Sequence, residues 1–203
     1  MSEALLHRVR RRLLPPPLGT PGALRDAAAI PAAVLVPLLQ RGEQLSVLLT
    51  VRAATLADHA GHISLPGGRI DVSDRDPVGA ALRETWEEVG IESGRIEVLG
   101  CLPAVLTGTG FHVTPVVALV RPPAALRLAA AEVSQAFEVP LGHVLDPANY
   151  VQEEAVLRGR SRKHYLLPYQ GRRIWGATAA ILLSLSGAEG AKRTLHEPAE
   201  TRA

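Results

Sequence analysis

A chain of 203 residues with 22 basic and 20 acidic side chains has a net charge of only +2, which argues against the basic field of a general polyanion binder. An apolar fraction of 47% supports one packed domain, yet aromatics supply only 3%, so Ala, Leu and Val must build the core. The single cysteine, Cys101, excludes an intramolecular disulfide framework, and no apolar run approaches the ~20 residues of a membrane-spanning helix.

The first 29 residues read as a leader. "ALLHRVRRRLL" forms a short basic amphipathic helix that "PPPLGTPG" ends, because proline lacks the backbone donor and clashes with the preceding turn. Such a segment lies on the domain surface, stays partly flexible, or meets an anionic partner. It begins with an acid and carries its arginines after the apolar stretch, the wrong order for a secretory signal. A cytoplasmic protein with no nucleic-acid and no membrane partner is expected.

The domain proper is expected over residues 30–186. "AAVLVPLL" (32–39) and "LSVLLTVR" (45–52) flank a glycine-containing turn and predict a buried hairpin. Residues 53–77 are polar and glycine-rich, too long for a simple connector, and long loops in compact domains are commonly functional. Asp76 and Pro77 supply an N-cap and a first-turn proline for a helix through "VGAALRETWEEV" that stops at Gly90. Strands follow at "RIEVLGCL" (95–102) and "HVTPVVALV" (112–120), and helical pieces at "AAAEVSQAF" (129–137) and "LGHVL" (141–145). "NYVQEEAV" and "HYLLPY" predict two more strands, and "IWGATAAILLSLS" (174–186) a closing buried helix. Residues 187–203 read as a flexible tail.

The chemistry concentrates in "RETWEEVG" (83–90). Residues three and four apart share a helix face, so Glu84, Glu87 and Glu88 converge and repel by a few tenths of a kcal/mol at such spacings. Two readings stand: a solvated acidic face paired with Arg83, or a site for a divalent cation, since Mg²⁺ takes one or two carboxylates while substrate phosphates complete its shell. Upstream, "LPGGRIDVSD" (65–74) places Gly67 and Gly68 where backbone can approach a ligand or simply turn. Arg83 is positioned to hold a loop carboxylate, with Asp74 the first choice, pinning loop to helix.

Together these residues resemble the Nudix box, G-x5-E-x7-R-E-U-x-E-E-x-G-U with U apolar. Gly68 takes the first glycine, Arg83 and Glu84 the R-E pair, Glu87 and Glu88 the E-E pair, and Gly90 and Ile91 the closing pair. Asp74 replaces the loop glutamate, eight residues separate it from Arg83 instead of seven, and Thr85 stands at an apolar position. "LLTVRAATLADHAGHISLPGG" (48–68) further resembles the segment before the box in coenzyme A pyrophosphatases, with Ala53, Ala57 and Leu65 in place of its serine, arginine and phenylalanine. The later blocks around 112–120, 132–145 and 174–182 are similar too.

The resemblance implies an α/β/α sandwich, a mixed β-sheet flanked by helices, and metal-dependent hydrolysis of a diphosphate. The products from coenzyme A would be 3′,5′-ADP and 4′-phosphopantetheine. It implies Mg²⁺ or Mn²⁺ held by Glu84 and Glu88, with Glu87 a further ligand or orienting water, and a backbone carbonyl from Gly67 or Gly68. Arg83, Glu87 and Glu132 are the candidate catalytic residues; Glu132 is a base, a ligand, or a buried capping glutamate. Arg52, Arg69, Gly67 and Gly68 are candidate substrate-binding positions, the arginines suiting bidentate phosphate contact or else surface ion pairs. His59, His62 and His112 read as solvated or hydrogen-bonded side chains, and Trp86 and Trp175 as core. The rivals are a pyrophosphatase for ADP-ribose, dinucleotides or nucleoside triphosphates, and a non-catalytic nucleotide-binding module. A homodimer is compatible with the sequence.

Overall fold

The structure, a computed structural model, describes residues 2–17, 29–56, 60–122, 125–157 and 160–188. Its axis is β1 (Ile30–Arg41), apolar at nearly every position because both of its faces are covered. β1 runs parallel to β7 (Phe111–Val120) over ten paired residues, from Ile30↔Phe111 to Leu39↔Val120. On its other edge it forms the expected hairpin with β2 (Gln44–Arg52), around Gly42 in the left-handed region at φ 60.

The two hairpin strands part beyond the Leu38↔Val47 pair. Into the gap come β3 (Ile63–Ser64), paired with β2, and β4 (Gly67–Arg69), paired with β1. Part of the segment that the sequence suggests is a loop is therefore sheet, wedged between the two strands it connects. β8 (Val133–Pro140) covers the far edge of β2, while β5 (Ile96–Cys101) and β6 (Val105–Leu106) pair with β7. A second, antiparallel sheet holds β9 (Val151–Leu157), β10 (Arg160–Tyr169) and β11 (Arg172–Trp175).

Helices complete the layers. α2 (Pro77–Val89) packs Ala80 and Ala81 on Ala33, Leu35, Val116 and Ala118, small side chains that let helix and sheet approach closely. The opposite face, with Val36, Leu38, Val47, Leu49 and Val117, buries Val9 of α1 (Ser2–Arg10), Leu141 of α3 (Leu141–Val144) and Ile181, Leu182 and Leu185 of α4 (Gly176–Ser186). The result is a mixed sheet between helical layers, the α/β/α sandwich expected. The basic leader helix ends at Arg10, and its continuation is tied down: Leu14 and Cys101 exchange backbone hydrogen bonds, and Arg12 Nη1 donates to Leu185 O at 2.9 Å. No helix among the described residues is long and apolar enough to cross a membrane.

Two local expectations are corrected. Residues 133–137, the second half of the 129–137 piece expected to be helical, belong to β8, where Leu49↔Phe137 and Val47↔Val139 pairing buries apolar surface that a helix there would leave out. Ile174 and Trp175 end β11 and do not open the last helix, because Gly176 at φ 64 turns the chain between the two.

Candidate active site

The helix that carries the carboxylates is fixed at both ends. Asp76 accepts from Gly79 N at 2.8 Å, and Gly90, left-handed at φ 73, donates its N–H to Trp86 O at 2.9 Å. Its buried stripe runs Pro77, Ala80, Ala81, Thr85, Glu88. The polar Thr85 is accommodated because its hydroxyl donates back to Ala81 O at 2.7 Å. Glu88 is the exception that needs a reason: a carboxylate, only 4% exposed, at a position that core packing would give to an apolar residue.

One acceptor interaction of Glu88 comes from Gly67 N–H, while Oε2 is buried and has no hydrogen-bond partner among the described residues. Burial pushes its carboxyl up to about 8, the charges of Glu84 and Glu132 add to the shift, and Arg52 opposes it. Glu84 is likewise raised, first by burial, with Arg83 pulling the other way. Gly68 explains why the loop can lie so near: a Cβ there would stand 2.6 Å from the Glu84 carboxyl carbon. Gly67, at φ 150, leaves equally little room against the main chain of Ala33 and Val34.

Arg83 makes the pin expected from the sequence. Its Nε and Nη2 donate to Asp74 at 3.0 and 2.8 Å, its Nη1 to Glu84 at 2.9 Å and Glu87 at 3.0 Å, and Nη2 also to Arg69 O at 3.2 Å. That guanidinium holds the Asp74 carboxyl below the usual range and is itself raised by the same bonds. Asp74 also closes a tight acidic turn, in which Asp71 N donates to Asp74 Oδ2 at 2.7 Å.

The distant carboxylate arrives by backbone stitching. Arg127 N and Ala129 N donate to Val89 O and Glu88 O at 2.9 and 3.0 Å, and Ala53 N donates to Glu132 O at 2.8 Å. These bonds tie the 127–132 segment to the end of α2 and to the residue after Arg52. Glu132 is exposed, which overturns the buried-cap reading, and its charge acts on both Glu84 and Glu88. Arg52 is half-buried, and its Nε is buried with no hydrogen-bond partner among the described residues.

The three box glutamates do not converge equally. Glu87 is half-exposed and turned toward Arg83, so the buried end of the cluster is Glu84 and Glu88. Among the described residues no three His, Cys, Asp or Glu side chains already stand converged for a metal. The donor set nevertheless fits a hard divalent cation: two hard carboxylates, one with a buried oxygen that lacks a partner, match the one or two that Mg²⁺ takes. Arg69 is exposed, with its guanidinium 5.5 Å from the Phe111 ring centroid. Trp86 is 42% exposed under Arg127, contrary to the core position expected of it. Trp175 is half-buried, its ring 5.2 Å from that of His62 and 5.5 Å from that of His164, which carried no signal in the sequence. Ala57 and His59 lie outside the described residues.

The family model described as the NUDIX domain matches residues 29–170. The chain is 43% identical over 161 residues to the uncharacterized Nudix hydrolase NudL of Salmonella paratyphi B and of Salmonella newport, a match covering 79% of this chain and 83% of each relative. Among solved structures it is similar to an Ap4A hydrolase of C. elegans, at 25% identity and TM-score 0.47 over 55% of this chain and 80% of that one. The NUDIX domain of Shewanella oneidensis NrtR, complexed with ADP ribose, is similar at 26% identity and TM-score 0.46 over 60% and 79%.

Proposed function

The chain belongs to the Nudix family of hydrolases acting on phosphoanhydride bonds, and we propose that it cleaves the diphosphate of coenzyme A or a derivative, releasing 3′,5′-ADP and 4′-phosphopantetheine. The observation that carries the reading is Glu88, a buried carboxylate with an unpaired oxygen beside Glu84, under the Gly67-Gly68 backbone. In this reading Glu84 and Glu88 hold Mg²⁺ or Mn²⁺, and Glu87 adds a ligand or orients water. Such an ion, when bound, offsets charge developing on the phosphate oxygens.

The remaining roles fall to the chain's own groups. Arg83, committed to Asp74, Glu84 and Glu87, is a positioning residue that keeps the loop and the carboxylates in register. Glu132, exposed at the edge of the cluster, accepts the proton of the attacking water. Arg52, with an Nε that no described residue engages, binds a substrate phosphate oxygen, and Arg69 provides a second, solvent-facing cation. The coenzyme A preference is supported by the resemblance of residues 48–68. Residues 30–186 are taken as the hydrolase unit, 1–29 as its leader, 187–203 as its tail, and the cytoplasm as its place of action.

The test is hydrolysis of coenzyme A with Mg²⁺ or Mn²⁺, beside ADP-ribose and NADH, for wild type and Glu88→Gln. Metal-dependent release of 3′,5′-ADP, lost in the variant, supports both site and substrate. Faster cleavage of another diphosphate keeps the site and discards coenzyme A. A folded protein that turns over none of them is a binding module.

A further inference from the structure

The register of the second sheet gathers a set of side chains that the hydrolytic site does not use. Residues directly opposite one another share a sheet face. The pairs His164↔Glu153, Leu166↔Trp175 and Pro168↔Arg173 therefore lie on one face, and Leu167↔Ile174, both buried in the core, on the other. The first face, with Glu153, His164, Arg173 and Trp175, lines an open cleft of about 400 Å³, and Glu154, paired with Lys163 on the opposite face, borders it. That volume is in the range of small-molecule sites.

The cleft combines the indole of Trp175 with an acidic rim. The rings of His62 and His164 stand tilted to that indole, with centroids 5.2 and 5.5 Å from it. Arg173 lies 2.7 Å from Glu153, so this cation is already answered by an acid, and His164 Nε2 lies 3.6 Å from the same carboxylate. Among the described side chains that line the cleft, a phosphate meets no unopposed positive charge. A planar ring with N–H groups at its edge meets what it needs: an aromatic platform, the Glu153 carboxylate as acceptor, and His164 Nδ1, buried with no hydrogen-bond partner among the described residues.

Its place relative to the carboxylates is set by the chain. Thr178 Oγ1 donates to Ile63 O at 3.1 Å, fastening the start of α4 to β3, and His62 O accepts from Arg52 N at 2.9 Å. From His62 to Gly67 is at most about 16 Å of extended chain, since a strand advances about 3.3 Å per residue. We propose that this cleft is the subsite for the heterocyclic base of the substrate, a purine stacked on Trp175 with its edge at Glu153 and His164. The inference rests on the nucleoside diphosphate reading given above.

The test uses Trp86→Phe protein, in which Trp175 is the single tryptophan. Its fluorescence is titrated in EDTA with AMP and, separately, with ribose 5-phosphate, which has the phosphate and sugar but no base. Saturable quenching by AMP alone, weakened ~5-fold or more by His164→Ala through loss of an edge hydrogen bond, supports the subsite. In the catalytic assay Trp175→Phe is then expected to raise KM with kcat retained. Equal quenching by ribose 5-phosphate, or no quenching by either, overturns it. Turnover without AMP-specific quenching removes the subsite and leaves the hydrolase; AMP-specific quenching without turnover of any diphosphate keeps the subsite and removes the hydrolase.

Discussion

Replacing Glu88 by Gln separates the cost of the buried charge from its use. The amide keeps an oxygen for Gly67 N–H and removes the ionisable group. In the folded wild type that carboxyl titrates at about 8 against an ordinary 4.5, because burial and the Glu84 charge disfavour ionisation. A folded value above the unfolded one means that the associated stability is complete below pH 4.5 and lost as pH climbs to about 8. Each pH unit in that window costs about 1.4 kcal/mol, so the loss is about 3 kcal/mol at pH 7 and about 4 kcal/mol at pH 8.

Urea denaturation in EDTA reads this directly. The variant should lie within about 1 kcal/mol of wild type at pH 5 and be more stable by about 4 kcal/mol at pH 8. Mg²⁺ should then raise the stability of the wild type, by the mass action of a ligand that binds only the folded state, and leave the variant unmoved. Its effect should grow with pH, because metal and proton compete for the same carboxylate. A gap between the two proteins that does not change from pH 5 to pH 8 would refute the account, since the buried carboxylate would then cost nothing to ionise.

Four further perturbations probe the same centre. Gly68→Ala brings a methyl 2.6 Å from the Glu84 carboxyl carbon, so it should weaken Mg²⁺ binding about tenfold or more with modest loss of Tm. Gly67→Ala, at φ 150 and against main chain, should instead destabilise by about 1–3 kcal/mol or more; urea melts and Mg²⁺ titrations tell the two apart. A double-mutant cycle of Arg83→Lys and Asp74→Asn should give a coupling of about 1–3 kcal/mol, reflecting the bidentate pair; additive losses would deny the pin. Glu132→Gln, on an exposed side chain, should leave the unfolding free energy within about 0.5 kcal/mol of wild type while lowering kcat by about 10²–10⁴. An unchanged kcat would remove Glu132 as base.

What the sequence makes legible here is what short range determines. Asp76, Pro77 and Gly90 act within a turn of where they stand, so the limits of α2 follow from them, and Arg83 reaches Asp74 across a single loop. The different fates of Glu87 and Glu88 are less legible, because both satisfy the helical spacing. What divides them is that Glu88 falls on the stripe of Ala81 and Thr85, under β4, whereas Glu87 is turned to Arg83. Residues 133–137 mislead because the alanines just before them, at 129–131, favour a helix locally, while pairing with β2, more than 80 positions away, decides for a strand. The same long-range pairing decides the chemistry. Glu132 reaches the cluster only because Ala129 N caps Glu88 O and Ala53 N holds Glu132 O, two bonds that leave no periodic trace. His164, Glu153 and Trp175 meet only through the register of a three-stranded sheet. A one-residue slip of β10 against β9 and β11 would turn His164 to the core and dissolve the cleft, so the residues that fix that register, Leu167 and Ile174 in the core, bear on substrate choice as well as on stability.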